Sequence, residues 1–221
     1  MKNNYRLLFV HGWGYSSSFW QKLQNNLKEY HSETIDLGFI GKNTGKNCNL
    51  KSILNLQEKY IAVGHSLGIL YLLKNFSFRF KYYVAINSFA RFSRDPTFPK
   101  GVALRVLDRM SRGLSTDSNL IMKQFYQQCG QVVNFLPSFN IEELQKGLEF
   151  LKFGDVRSII PQIRNKLTVI ASKKDPVVNE TMTIQSFQEC NYLWLDDDTH
   201  ILPLSKTNAC AEIIRELINN V

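Results

Sequence analysis

Short apolar runs alternate along this chain with stretches whose apolar residues recur every three or four positions, the patterns of buried strands and amphipathic helices. Residues 5–11 are a compact apolar run closed by Gly12, which predicts a buried strand. Over 18–29, Phe19, Trp20, Leu23 and Leu27 fall on one helical face. A short strand is expected at 33–35, then a polar Gly- and Asn-rich loop at 38–49, a helix at 50–58 and a strand at 60–63. Residues 69–76 read as an apolar helix, and 82–86, 167–171 and 192–195 as further strands. Helical patterns at 181–188 and 206–218 complete the alternation. Strands separated by helices on short links imply an α/β fold, a mostly parallel sheet of about six strands covered on both faces.

One region breaks the rhythm. Residues 89–154 are helical and amphipathic, rich in aromatics and bases, with no clear strand. Inserted after the fourth predicted strand, such a stretch reads as a helical cap over the carboxyl edge of the sheet. The expected organisation is a single compact domain, with residues 1–88 and 155–221 as core and 89–154 as the insertion.

Composition leaves this picture in place. A chain of 221 residues can bury one substantial core. Its formal net charge of +8 could attract nucleic acid, an anionic membrane or an acidic protein, or reflect solvated lysines alone. No nucleic-acid motif accompanies the charge. The four apolar residues Leu7–Val10 are too few for a signal-peptide core, and no apolar run approaches the ~20 residues that span a bilayer. A cytoplasmic protein is therefore expected, not bound to membrane. Cys48, Cys129, Cys190 and Cys210 are scattered without metal-ligand spacing and read as reduced thiols.

The chemical signal is Gly64-His65-Ser66-Leu67-Gly68, set between a predicted strand and a predicted helix. At a sharp strand-to-helix turn the serine hydroxyl is lifted above the strand ends, and the flanking glycines allow a close backbone approach. The motif alone is weak; in this setting it is strong and makes Ser66 a candidate nucleophile. A hydroxyl needs a base to take its proton. Of the four histidines, His11 belongs to the first turn, His31 to a surface connection, and His65 adjoins the serine. His200, just after the last predicted strand, returns to the same sheet edge; taken alone it reads more readily as a surface loop residue, and the serine turn reverses that and makes it the candidate base. Asp175, following the strand at 167–171, supplies the acid in the chain order Ser, Asp, His. Asp196, Asp197 and Asp198 are rivals, but lie too close in sequence to approach the ring from behind. For the oxyanion, the turn His11-Gly12-Trp13-Gly14 offers the Trp13 backbone N–H, and the helix start offers that of Leu67.

These pieces together point to a serine hydrolase of the α/β-hydrolase fold. The opening Leu7–Gly14 with Ser18-Phe19-Trp20, and the segments Asn87–Phe92, Gly147–Lys152 and Asp155-Val156-Arg157, resemble the pimeloyl-[acyl-carrier protein] methyl ester esterases of biotin synthesis. The resemblance spans nearly the whole chain. It implies hydrolysis of the methyl ester on a pimeloyl chain carried by acyl carrier protein, through an acyl-enzyme, without metal or organic cofactor. It also implies that Trp13 lines the substrate and that Phe125 is the cap phenylalanine. The chain departs from the family pattern at His65, Ile69, Ser172 and Thr199, and has Gln124 beside Phe125 where a carrier-engaging arginine is looked for. Arg105, Arg109 and Arg112 instead repeat at i, i+4 and i+7 with Lys123 beyond, a basic helix face that suits an acidic carrier or is simply solvated. Two other functions fit the same motifs: a general carboxylesterase or thioesterase of other acyl groups, and a non-catalytic ligand-binding protein of the same fold.

Overall fold

The computed structural model describes residues 5–41, 58–77 and 79–220. Six strands, Tyr5–Val10 (β1), Ser32–Ile35 (β2), Lys59–His65 (β3), Tyr82–Ile86 (β4), Leu167–Ala171 (β5) and Asn191–Trp194 (β6), join in one sheet. All neighbours are parallel, in the order β2-β1-β3-β4-β5-β6. Parallel strands sandwiched by helices have no solvent face, which is why β5 is buried throughout and β3 is buried after Lys59.

Helices Gln21–Asn26 (α1), Leu67–Phe76 (α2), Glu180–Ser186 (α6) and Thr207–Asn220 (α8) alternate with the strands, and short Leu202–Ser205 (α7) precedes the last of them. The helix expected over 18–29 is split. A tight 3-10 turn covers Ser17–Trp20, and α1 ends at Asn26, where two successive asparagines carry little helix propensity. The helix expected at 50–58 and most of the loop at 38–49 lie outside the described residues. Cys129, Cys190 and Cys210 are free thiols. No helix among the described residues is long and apolar enough to cross a membrane.

The register levels the strand ends. Val10 lies opposite Gly64, His65 opposite Ile86, Ile86 opposite Ile170, and Ala171 opposite Trp194. The loops after β1, β3, β5 and β6 therefore leave the sheet along one edge. Because β1 leads to β2 on one side and β3 leads to β4 on the other, a crevice opens between the ends of β1 and β3, where such folds place their ligands.

Between β4 and β5 lie Leu104–Gln128 (α3), Ile141–Phe153 (α4) and short Ile160–Ile163 (α5). The two ends of this segment are fastened together by ion pairs. Arg91 reaches Asp95 at 2.9 Å and Asp155 at 3.0 Å, and Arg157 reaches Asp155 at 2.7 Å. Helix α3 is broken at Asp117 (φ −148°, ψ 85°), whose carboxylate caps the next turn at the Leu120 N–H. A Cβ on Gly113 would meet the Ile121 side chain at 2.5 Å. Eight residues of straight helix rise about 12 Å, so this proximity means that the chain doubles back. Lys123 therefore belongs to the second arm, and the expected basic stripe from Arg105 ends at Arg112. Apolar periodicity does not show the break; the local signal is the run Ser115-Thr116-Asp117-Ser118-Asn119, residue types that favour a helix N-cap over an interior.

Candidate active site

Ser66 sits between β3 and α2 with φ 53° and ψ −120°, a left-handed conformation that disfavours any side chain. Its surroundings enforce it. A Cβ on Gly64 would lie 2.4 Å from the Ile69 backbone nitrogen, and one on Gly68 2.1 Å from the Val10 carbonyl oxygen, so both positions must lack a side chain. The Ser66 N–H donates to Ile86 O at 3.1 Å, and the Ser88 hydroxyl donates to Ser66 O at 2.5 Å. The turn is thereby held from the β4 side by both of its backbone polar groups.

The Gly12 turn closes on the serine from β1. A Cβ on Gly12 would meet Ser66 Cβ and His65 Nδ1, each at 2.9 Å. This contact puts the peptide that follows, with the Trp13 N–H, beside the serine. Leu67 is the first residue of α2, so its N–H has no acceptor inside the helix. The Trp13 indole is nearly buried; it donates to Leu144 O of α4 at 2.8 Å and meets Phe125 edge-on at 4.8 Å. The Tyr126 hydroxyl, in turn, donates to Gly14 O. The first loop and the inserted helices are thus locked together.

His200 and Asp175 meet on the same sheet edge, in the loops after β6 and β5. His200 Nδ1 lies 2.8 Å from Asp175 Oδ2, and both residues are buried. Asp175 Oδ1 accepts from the Val177 and Val178 N–H groups at 2.7 and 2.9 Å. One carboxylate oxygen is fixed by backbone and the other aimed at the ring. The rivals are occupied elsewhere: Asp196 pairs with Lys174, Asp197 accepts from Thr199, and Asp198 is exposed. His11 is buried and structural, its Nε2 accepting from the Leu37 N–H at 3.0 Å.

A cavity lined mainly by apolar side chains opens over Ser66. Trp13, Phe125, Val106, Met110, Leu148 and Val177 are among its walls, and Gln128 is the polar side chain there besides Ser66. Apolar walls with few polar groups favour an alkyl chain. Of these residues Ser66 was marked by its motif and Trp13 and Phe125 by the family resemblance; the others come from helix faces and a loop that folding brings together. Arg105, Arg109 and Arg112 are exposed on the first arm of α3, alternating with the cavity-lining Val106 and Met110, and Lys123 is exposed on the second arm. Among the described residues no group of three or more His, Cys, Asp or Glu is placed to hold a metal ion.

Asn87 is a site residue that sequence reasoning passed over. Left-handed at φ 42° and buried, it donates through Nδ2 to Thr199 O and His200 O at 3.2 and 3.1 Å. Its Oδ1 accepts from the Ser172 N–H at 3.0 Å. The available signal was an Asn directly after a buried strand, a residue type that tolerates left-handed backbone.

No family model matches the chain. Among solved structures it is similar to an esterase from Exiguobacterium antarcticum, with TM-score 0.79 and 15% identity over 97% of this chain and 91% of that one. It is also similar to a bromoperoxidase from Bacillus anthracis, with TM-score 0.79 and 14% identity over 99% and 92%. The chain has the α/β-hydrolase fold, and the solved structures and curated relatives it resembles include ester hydrolases. Its curated relatives are narrower. It is 29% identical, over 96% of this chain and 94% of the other, to a pimeloyl-[acyl-carrier protein] methyl ester esterase of Legionella pneumophila (strain Corby).

Proposed function

We propose that Ser66, His200 and Asp175 are the nucleophile, base and orienting acid of an esterase that removes the methyl group from pimeloyl-[acyl-carrier protein] methyl ester. The observation that carries this reading is the buried Asp175–His200 hydrogen bond at 2.8 Å on the sheet edge where Ser66 stands in its strained turn. Asp175 keeps the His200 proton on Nδ1, leaving Nε2 free to accept. Ser66 Oγ attacks the ester carbonyl as its proton passes to Nε2, and the oxyanion is taken by the Trp13 and Leu67 N–H groups. Collapse expels methanol, which leaves with that proton, and an acyl-enzyme remains. Water, deprotonated by the same nitrogen, then frees the carboxylate and restores the serine.

The apolar cavity suits the methylene chain, with Trp13 and Phe125 packed along it. Residues 89–154 act as the cap that completes this cavity. Arg105, Arg109 and Arg112 on its outer face suit an acidic carrier, with Lys123 contributing only if the partner also spans the second arm. Action on a carrier-bound intermediate sets the enzyme in the cytoplasm. No resident cofactor takes part in these steps.

The test is incubation with methyl pimeloyl-carrier protein, following loss of the methyl group by mass spectrometry, with Ser66→Ala as control. Methyl loss in wild type alone supports the reading. Cleavage of simple esters with this substrate untouched would overturn the substrate and leave a general carboxylesterase or thioesterase. Charge reversal at Arg105 and Arg109 should slow carrier-linked turnover, most at low salt, without changing turnover of a small ester.

A further inference from the structure

Every polar group of the His200 main chain is claimed by a different part of the fold. Its N–H donates to Cys129 O, at the end of α3, at 3.0 Å. Its carbonyl oxygen accepts twice, from His65 Nε2 at 2.8 Å and from Asn87 Nδ2 at 3.1 Å. The fold thus spends two buried side chains on one carbonyl, and neither belongs to the Ser, His and Asp set.

We propose that His65 and Asn87 are positioning residues for His200, fixing its main chain so that the ring presents Nε2 to Ser66. The inference rests on the reading of His200 as base. Asn87 serves the two loops of the site at once. Its Nδ2 holds Thr199 and His200, while its Oδ1 holds the Ser172 N–H, at the start of the loop that carries Asp175. The acid and base loops are therefore registered through one amide, at a position that accepts φ 42°.

His65 works from the other side. Its ring stacks on Phe19 with centroids 4.6 Å apart and lies 4.8 Å from the His200 ring. The Nδ1 edge faces Gly12, and no described group is bonded to that nitrogen. A carbonyl oxygen only accepts, so Nε2 carries the proton and Nδ1 is bare. The groups facing this pair are Asp175 and Cys129 on His200, and His11 and Tyr15 on His65. Burial, reinforced by the neighbouring His200, holds the His65 pKa well below that of an ordinary histidine. A neutral imidazole is what the position requires. It donates one hydrogen bond, fills the space between the Gly12 turn and the base loop, and adds no charge beside the imidazolium that forms on His200 during catalysis.

The test compares His65→Phe, His65→Gln and Asn87→Ala with wild type. The readouts are kcat and KM on p-nitrophenyl acetate, the rate of Ser66 labelling by a fluorophosphonate, and thermal melting. His65→Phe keeps a ring and loses the donor; His65→Gln keeps a donor. Misplacement of a reacting group by an ångström costs on the order of 100-fold. We expect His65→Phe and Asn87→Ala to lower kcat and labelling roughly 10- to 100-fold with KM nearly unchanged. His65→Gln should recover most of that loss. If wild type is labelled at Ser66 while folded His65→Phe and Asn87→Ala both keep wild-type kcat and labelling, the positioning role is wrong. Loss that follows the melting temperature alone, without recovery in His65→Gln, also overturns it. If wild type itself is not labelled at Ser66, the fault lies with the catalytic reading instead.

Discussion

Asp175→Asn separates the chemistry of the site from its architecture. The Asp175 carboxylate has two jobs on two oxygens: Oδ1 accepts from the Val177 and Val178 N–H groups, and Oδ2 faces His200 Nδ1. In Asp175→Asn the remaining carbonyl oxygen can stay with the two backbone donors, which would otherwise be orphaned in the interior. The new amide nitrogen then falls against His200 Nδ1. Being a donor, it selects the tautomer with Nδ1 bare and the proton on Nε2, the nitrogen that accepts from Ser66 in the proposed mechanism. In Ser-His-Asp enzymes generally this wrong tautomer lowers kcat by about 10⁴, or about 5.4 kcal/mol at 1.36 kcal/mol per decade. The cost to stability is smaller, about 1–2 kcal/mol, because one charged hydrogen bond becomes neutral while none is abandoned. Asp175→Ala should reverse the balance, adding two unsatisfied buried N–H groups and melting much lower. The assay is kcat on p-nitrophenyl butyrate at pH 8 beside a thermal melt of each variant. A loss below about 30-fold in folded Asp175→Asn would refute the claim that Asp175 sets the tautomer of the base.

Three further outcomes follow from the same geometry. Ser66→Ala and Ser66→Gly should both abolish turnover, but Ser66→Gly should be the more stable by about 1–3 kcal/mol, since only glycine is at ease with φ 53° and ψ −120°; chemical denaturation of the pair measures it. Trp13→Phe removes the indole hydrogen bond to Leu144 O and part of the ring volume, so it should cost about 1–2 kcal/mol by denaturant melt and raise KM for long-chain esters. Burial by itself would raise the Asp155 pKa, yet hydrogen bonds from Arg157 and Arg91 hold it down at about 2. A carboxyl held below its unfolded value of about 3.9 contributes stability that is fully present above that pH. That contribution fades as pH falls from about 4 towards 2. Denaturant midpoints of wild type should therefore drop across that window, and those of Asp155→Asn should drop less.

Strand positions were legible because parallel strands buried on both faces leave unbroken apolar runs, as at Leu7–Val10 and Leu167–Ala171. The candidate nucleophile was legible for a local reason: Gly64 and Gly68 are written into the chain by approaches that forbid a Cβ. His200 and Asp175 could be chosen by order and by their place after strands, since a parallel sheet sends all such loops to one edge. What the linear pattern did not contain were interactions without periodicity or local steric cause. The bend at Asp117 rests on one cap and one glycine contact, and it moves Lys123 off the arginine face. The cavity walls come from two arms of α3, from α4 and from the loop at Val177, none of which is marked as a wall in its own segment. Asn87 and His65 acquire their roles only when β3, β4 and the last loop meet around one carbonyl oxygen. Backbone sterics and burial act on neighbours in sequence and so leave a mark there, and they determined the strands and the serine turn. Hydrogen bonds between loops act on neighbours in space, and tertiary structure alone decided which residues hold His200.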